Sequence, residues 1–368
     1  MSKKIISLIL AVMMALGCTA LAEEAKTYDF SEQAQAYMEY MGTNLTNRNA
    51  VPEGTEVPEG NTHQETVDWI LSELKNAGYT DEDITCEVES VTTPWGMTIP
   101  VQNIIVKVTG ADPAKQIIIG AHYDGDGVGD NASGAALLLA NCCGLKNEVP
   151  ACNVQYVFFD AEEMGLVGAS HHAASLTEEE AASTLFMLNM DSLAFGDYAN
   201  IYGGVQNEDG TVTETSAYDL AVEKAKALGI NVMTTADLDG YYAANGAGPE
   251  IAENTLYTNP WTPANPAPAN GDYFSPATGD WSDHADYKYL GIPYVYFEAT
   301  NWYAAGDGGE DAYTGYFETT DTTLGYDGMF MNTEFDTLEN LNSFFPGRSL
   351  AHFQVFSPLL SALILEAE

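Results

Sequence analysis

The chain has 368 residues, 46% of them hydrophobic, with 12 Lys and Arg against 54 Asp and Glu and a formal net charge of −42. That length allows one large domain with its own core and excludes a disulfide-stapled miniature, while so negative a field repels nucleic acid and anionic membrane surfaces alike. The five cysteines show no CxxC pair or zinc-finger spacing, which argues against thiolate metal ligands.

Residues 1–22 read as an export signal, because Lys3 and Lys4 precede the apolar run from Ile5 to Leu16 and Ala20-Leu21-Ala22 offers a small-x-small cleavage site. A secreted, extracellular domain over 23–368 is expected, with a lipid anchor on Cys18 as the alternative. No transmembrane segment is expected, since the signal's run is too short to span and no apolar stretch of about 18 residues follows it.

Apolar residues at helical intervals predict helices over 30–48 and 65–77, the second stopped by Gly78. Beyond them the chain alternates. Apolar runs predict strands at 103–108, 116–120, 154–159, 185–189 and 293–297, and periodic segments predict helices at 133–146, 166–175 and 216–228. This alternation predicts an α/β fold, a three-layer α/β/α sandwich with a mixed, mainly parallel central sheet. Cys142 and Cys143 fall in an apolar helical stretch and read as small buried side chains, with a bridge from Cys152 to one of them left open. Segments of about 241–280 and 301–329, rich in Asn, Pro, Gly and Asp, read as long loops. Tyr241, Tyr242, Tyr257, Trp261 and Tyr273 would order the first, either as a wall of the site or by packing within the loop.

In a largely parallel sheet, functional side chains gather outside the carboxyl ends of the strands. His122 closes the run 116–121, and Asp124, two residues on, can accept its other ring N–H and fix the tautomer that binds metal. The segment from Asp124 to Ala135 has the opening acids of a calcium loop, but Val128 at its fifth position and Ala135 at its twelfth offer no side-chain oxygen. Asp130, ahead of an apolar helix, suits either a helix cap or a bridge between two cations. In Glu162-Glu163 one carboxylate can bind metal while the other takes a proton from water, although a pair at a helix start also serves the helix dipole. Asp191 follows the run 186–190 and supplies a terminal carboxylate. An oxygen-rich set with one imidazole suits a co-catalytic pair of Zn2+ ions.

Taken together, Gly120-Ala-His-Tyr-Asp124, Asp130-Asn-Ala-Ser-Gly134, Asp160-Ala-Glu-Glu-Met-Gly-Leu-Val-Gly168, Asn189-Met-Asp191 and Ser282-Asp-His284 resemble the motifs of the secreted zinc aminopeptidases of peptidase clan MH. This is the aminopeptidase Y and leucyl aminopeptidase-like branch, related to glutamate carboxypeptidase, transferrin receptor and glutaminyl cyclase. The resemblance runs from about residue 65 to the C-terminus. It implies a zinc-exopeptidase domain acting on peptides with a free N-terminus, in which His122 and Asp191 hold one zinc, Asp130 bridges and Glu163 holds the other. Glu162 would be the general base and then acid, with Asp124 as the second catalytic side chain. Two zinc ions are implied, but the family's last ligand, a histidine in a His-Thr-x-x-Asp-Thr pattern, is replaced by Asn332 in Asn332-Thr-Glu-Phe-Asp336-Thr337. An amide oxygen binds zinc weakly, so the Glu163-side metal is expected to be loosely held, a harder ion, or absent. The alternatives are a glutaminyl-cyclase-like acyltransferase with a single zinc and a non-catalytic binding homologue whose metal site has decayed.

Overall fold

A computed structural model describes residues 28–207, 212–233, 237, 244–245, 254–258, 279–301, 318–319, 321, 323–326 and 328–367. In chain order the elements are α1 (Ser31–Asn44), α2 (His63–Ala77), β1 (Ile84–Thr85), β2 (Glu89–Thr92), β3 (Thr98–Val101), β4 (Ile104–Val108), β5 (Asp112–His122), α3 (Ala132–Gly144), β6 (Cys152–Phe159), α4 (Val167–Ser175), α5 (Glu178–Ser183) and β7 (Thr184–Met190). They continue with β8 (Tyr198–Tyr202), β9 (Val205–Gln206), β10 (Val212–Thr213), α6 (Ser216–Ala227), β11 (Asn231–Met233), β12 (Thr255–Thr258), α7 (Ala285–Tyr289), β13 (Tyr294–Thr300), α8 (Leu338–Phe344) and α9 (Arg348–Glu366).

Nine strands form one sheet in the order β1-β4-β6-β5-β7-β13-β8-β12-β11. Its centre is parallel, β6 on β5, β5 on β7 and β7 on β13, while β4 and β8 run antiparallel to β6 and β13. Central strands covered on both faces read as unbroken apolar runs, and β5 shows how the two faces divide. Ile117 and Ile119 point into a core built by α1, α2, α3, α6 and α9. Ile118, one residue out of phase, joins Val157, Phe159 and Met187 under Ala169 and Ala173 of α4 and Tyr287 of α7. Each fully buried Ile or Leu of these cores contributes about 1.5–3 kcal/mol relative to an exposed one.

The fold is the expected three-layer arrangement, and the predicted elements fall within a few residues of their places. The first helix ends at Asn44 rather than 48, because Arg48 turns away from the helix to bond loop carbonyls. The loop expected over 241–280 is interrupted by β12, which lies parallel to β8 and β11. Tyr257 is buried there against Tyr198, with ring centroids 4.4 Å apart. Four residues are too few to show a strand's alternation in sequence. The β2–β3 hairpin and α9 were also not apparent from the sequence pattern. Helix α9 is the one helix among the described residues long and apolar enough to cross a membrane, but most of it is buried against α1, α3, α6 and the sheet. Cys86, Cys142, Cys143 and Cys152 are free thiols. The export signal, Cys18, Tyr241, Tyr242, Trp261, Tyr273 and most of 301–329 lie outside the described residues.

Candidate metal centre

Parallel pairing of β5 with β6 and β7 sets His122 opposite Phe159 and Gly120 opposite Asn189. Whatever follows those strands therefore emerges along one edge. His122 ends β5 fully buried, Asp191 follows β7 directly, and Glu162 and Glu163 lie in the turn after β6. Asp130 arrives differently, from a loop folded back onto the sheet. The side chain of Asn131 caps α3 by accepting from Gly134 N at 2.9 Å and donates to Met190 O at 2.9 Å. Its carbonyl oxygen also accepts from Ser192 N at 3.2 Å. Asn131 thus ties the start of α3 to the end of β7 and sets Asp130 beside Asp191.

His122 Nε2 lies 3.2 Å from Asp130 Oδ1, 3.5 Å from Asp191 Oδ1 and 3.9 Å from Glu162 Oε2. Neither ring nitrogen makes a hydrogen bond, and neither does the buried Asp130 Oδ1. Buried polar atoms are rarely left without a partner, so these are atoms aimed at something else. Donor atoms of His122, Glu162 and Asp191 all fall within 4.8 Å of one another, close enough to share one cation. Glu163 stands outside that trio with its carboxylate over Gly125, where a Cβ would come within 2.9 Å of Oε1. It nevertheless lines the same cavity of about 320 Å3 as Asp130, Glu162, Asp191 and Asn332. Asn332 sits on that rim with φ at 57°, a left-handed conformation that Asn tolerates better than most residues.

Asp124 faces the Nδ1 side of His122, where its spacing put it, and has further partners in the turn after β6. Its Oδ1 is 3.4 Å from His122 Nδ1, beyond a good hydrogen bond. Its nearer partners are backbone amides, with Glu162 N at 3.0 Å and Glu163 N at 3.3 Å. Asp124 therefore clamps the glutamate pair in place. Asp191 is held by Ser282 Oγ at 2.7 Å and Ser192 Oγ at 3.1 Å, and Ser282 in turn accepts from Asn189 Nδ2.

The electrostatics follow from this crowding. Burial, with Asp283, Asp191 and Asp130 nearby, raises the Glu162 pKa well above the usual range despite the opposing pull of His122. Asp130 is raised by burial and by Asp191, and the more exposed Glu163 by burial and by Asp130. Burial works against the charge of His122, but Glu162 and Asp191 outweigh it and hold the imidazole pKa well up. Orphaned nitrogen and oxygen atoms amid mutually repelling carboxylates fit a divalent cation, and one imidazole among carboxylates is a donor set that zinc accepts.

Two supporting residues carried little or no signal in the sequence. Arg48 is fully buried and donates to Tyr123 O, Leu45 O and Gly127 O at 2.7–2.8 Å, fixing the loop between His122 and Asp130. A lone arginine after a helix gives no hint of this. Asp336, noted only as part of the Asn332 pattern, accepts from Val128 N, Gly129 N and Asp130 N at 2.6–2.9 Å. The other histidines are engaged elsewhere: His63 with Asp160, His171 with Glu89, His172 with Tyr287 and His352 with Leu193 O. His284 stacks between Tyr294 and Tyr296, with Nε2 at 3.0 Å from Gly279 O.

Residues 103–246, which carry His122, Asp124, Asp130, Glu162, Glu163 and Asp191, match the profile of peptidase family M28. Ser282–His284 and Asn332–Asp336 lie beyond the matched stretch. An aminopeptidase of Pseudomonas aeruginosa is 32% identical over 113 residues, 29% of this chain but only 21% of the relative, so the match spans about a fifth of that protein's length. Among solved structures, a Zn-dependent exopeptidase from Parabacteroides distasonis aligns with a TM-score of 0.58 at 17% identity, covering 93% of this chain and 100% of that one. A glutaminyl cyclase from an Acidobacteriales bacterium aligns at 0.59 and 15% identity, covering 93% and 97%. At such identities these two show the shared fold.

Burial also makes a pH dependence. His172, His284 and His352 are pushed down to about 4, so they destabilise the fold only below about 6.5. Burial pushes Asp336 up to about 7 and Glu298 and Glu318 up to about 8, which costs stability as pH rises from the ordinary carboxyl range up to those values. Between pH 6.5 and 8 the raised imidazoles of His63 and His122 act in the same direction. Metal-free protein should therefore be less stable to urea at pH 8 than at pH 6.5, and Glu318→Gln should reduce that difference. A stability that is flat or rising across this window would contradict the assignment.

Proposed function

We propose that this chain is a secreted zinc-dependent aminopeptidase that removes N-terminal residues from peptides. The observation carrying this reading is the convergence of donor atoms of His122, Glu162 and Asp191 within 4.8 Å of one another, with Asp130 beside them and both His122 nitrogens and Asp130 Oδ1 buried without a hydrogen bond. The match of residues 103–246 to peptidase family M28 and the aminopeptidase name of the sequence relative support the reaction class. The glutaminyl cyclase contributes likeness of fold alone, and no observation of this site favours acyl transfer.

Zinc held by His122, Asp130 and Asp191 would supply Lewis acidity toward the scissile carbonyl and lower the pKa of the attacking water. Glu162 stands at the donor cluster with its backbone fixed by Asp124 and takes the proton from that water. It then returns the proton to the departing amine, and its raised pKa suits both steps. Surrounding carboxylates receive the substrate's free α-amine. Glu163 and Asn332 flank a second, weaker position, because an amide oxygen replaces an imidazole there.

Glu162→Gln should lower hydrolysis of aminoacyl p-nitroanilides by about 10²-fold or more while zinc content, read by mass spectrometry, is retained. Loss of zinc together with activity would make Glu162 a ligand instead of the base. Asn332→His should raise bound zinc toward two per chain. An unchanged stoichiometry would remove Asn332 from the ligand position. Secretion rests on the charged, apolar and small-residue order of residues 1–22. N-terminal sequencing of exported protein should begin at Glu23, and a blocked, lipid-bearing Cys18 would overturn that cleavage.

A further inference from the structure

The cavity beside the donor cluster is also lined by Trp281, Tyr296, Glu298 and Met331. Glu298 projects from β13 and is 1% exposed. Its Oε1 accepts from the Tyr296 hydroxyl at 3.1 Å and its Oε2 from Thr300 Oγ1 at 3.3 Å, with the Tyr202 hydroxyl also donating. These partners are neutral. No described lysine, arginine or histidine forms an ion pair with Glu298, and the two described arginines are committed elsewhere, Arg48 to loop carbonyls and Arg348 to Asp197 at 3.0 Å. Burial and nearby Asp191 hold its carboxyl up at about 8, as expected where no cation neutralises it.

A buried carboxyl with hydroxyl partners and no counter-charge of its own, on the wall of a substrate cavity, gives up its proton when a cation brought by the ligand comes to rest beside it, and then receives that cation as a carboxylate. We infer that Glu298 selects substrates whose N-terminal residue is lysine or arginine, with Trp281, Tyr296 and Met331 packing along the aliphatic stem while Glu298 meets the charged tip. This inference rests on the aminopeptidase reading. For Glu162 to act, the scissile carbonyl and the α-amine beside it must lie at the donor cluster, which leaves the side chain as the part that reaches Glu298. At about 320 Å3 the cavity is at the small end of ligand sites and suits one residue rather than a length of peptide. Aromatic and thioether walls favour the stem of a long basic side chain. The net charge of −42 also raises the local concentration of cationic peptides.

The test compares zinc-loaded wild type with Glu298→Gln, which keeps the shape and hydrogen-bonding capacity of the side chain. kcat/KM is measured for lysyl, arginyl and leucyl p-nitroanilides, and calorimetry measures binding of L-lysinamide and L-leucinamide. Wild type should prefer the basic ligands in both measurements. In Glu298→Gln the lysine-to-leucine ratio should fall at least tenfold, about 1.4 kcal/mol, chiefly through KM and Kd. A wild type that prefers leucine, or a ratio unchanged by the substitution, overturns the inference. That includes an equal loss for both ligands, which would assign Glu298 to the α-amine. If the wild type binds lysinamide in preference yet hydrolyses none of the anilides, the aminopeptidase reading fails while the role of Glu298 stands. Thermal unfolding and circular dichroism of Glu298→Gln, and a second variant, Glu298→Leu, which should shift the ratio further toward leucine, separate recognition from misfolding.

Discussion

Mutual repulsion among carboxylates is the constraint that the surrounding structure answers. Asp124, Asp130, Glu162, Asp191 and Asp283 lie buried or nearly so around one imidazole, with Glu163 at the rim. Left to themselves, side chains of like charge would swing apart into water. Here two of them are held by donors that are themselves fixed, Asp124 by the amides of Glu162 and Glu163 and Asp191 by Ser192 and Ser282, while Asp130 Oδ1 and both oxygens of Asp283 are left without a hydrogen bond. The two held positions are set before any cation arrives, which is the preorganisation that tight binding and electrostatic catalysis both require.

The same logic extends outward by two steps. The loop from Asp124 to Asp130 has little apolar surface to anchor it. It is pinned from one side by Arg48, bonding three carbonyls, and from the other by Asp336, accepting three amides. Burial lowers the pKa of the Arg48 guanidinium, but Asp124 and Asp336 oppose that shift and keep its charge favourable in a region otherwise acidic. Glu318 repeats the device with the amides of Phe330 and Met331, directly ahead of Asn332. Residues far apart in the chain thus meet at the metal centre through backbone hydrogen bonds to buried charges, which cost far more to break than surface ion pairs.

Glu298 differs from these carboxylates in one physical respect. Asp124, Asp336 and Glu318 accept amides and organise backbone, whereas Glu298 accepts only hydroxyls and organises none. In a chain with so few basic residues, the counter-charge for such a group is most simply supplied from outside.

The central sheet and its site-bearing edge were legible because the physics is local there. Apolar runs of strand length, periodic segments between them and polar residues just beyond the strands give the α/β class and place His122, Glu162, Glu163 and Asp191 at strand ends and Asp130 ahead of the next helix. Short strands such as β12, and the supports Arg48 and Glu318, were not legible, since four residues carry no period and a single charge does not announce its partner. The sequence alone determined which groups could do chemistry and in what order they occur, because residue type and spacing fix donor atoms and element type. Tertiary structure alone decided what each group does. It made Asp124 also a clamp on the glutamate pair, brought Glu162 into the donor cluster and set Glu298 in the cavity wall. Those outcomes depend on distances between segments up to two hundred residues apart, which parallel pairing and buried hydrogen bonds fix and local sequence does not.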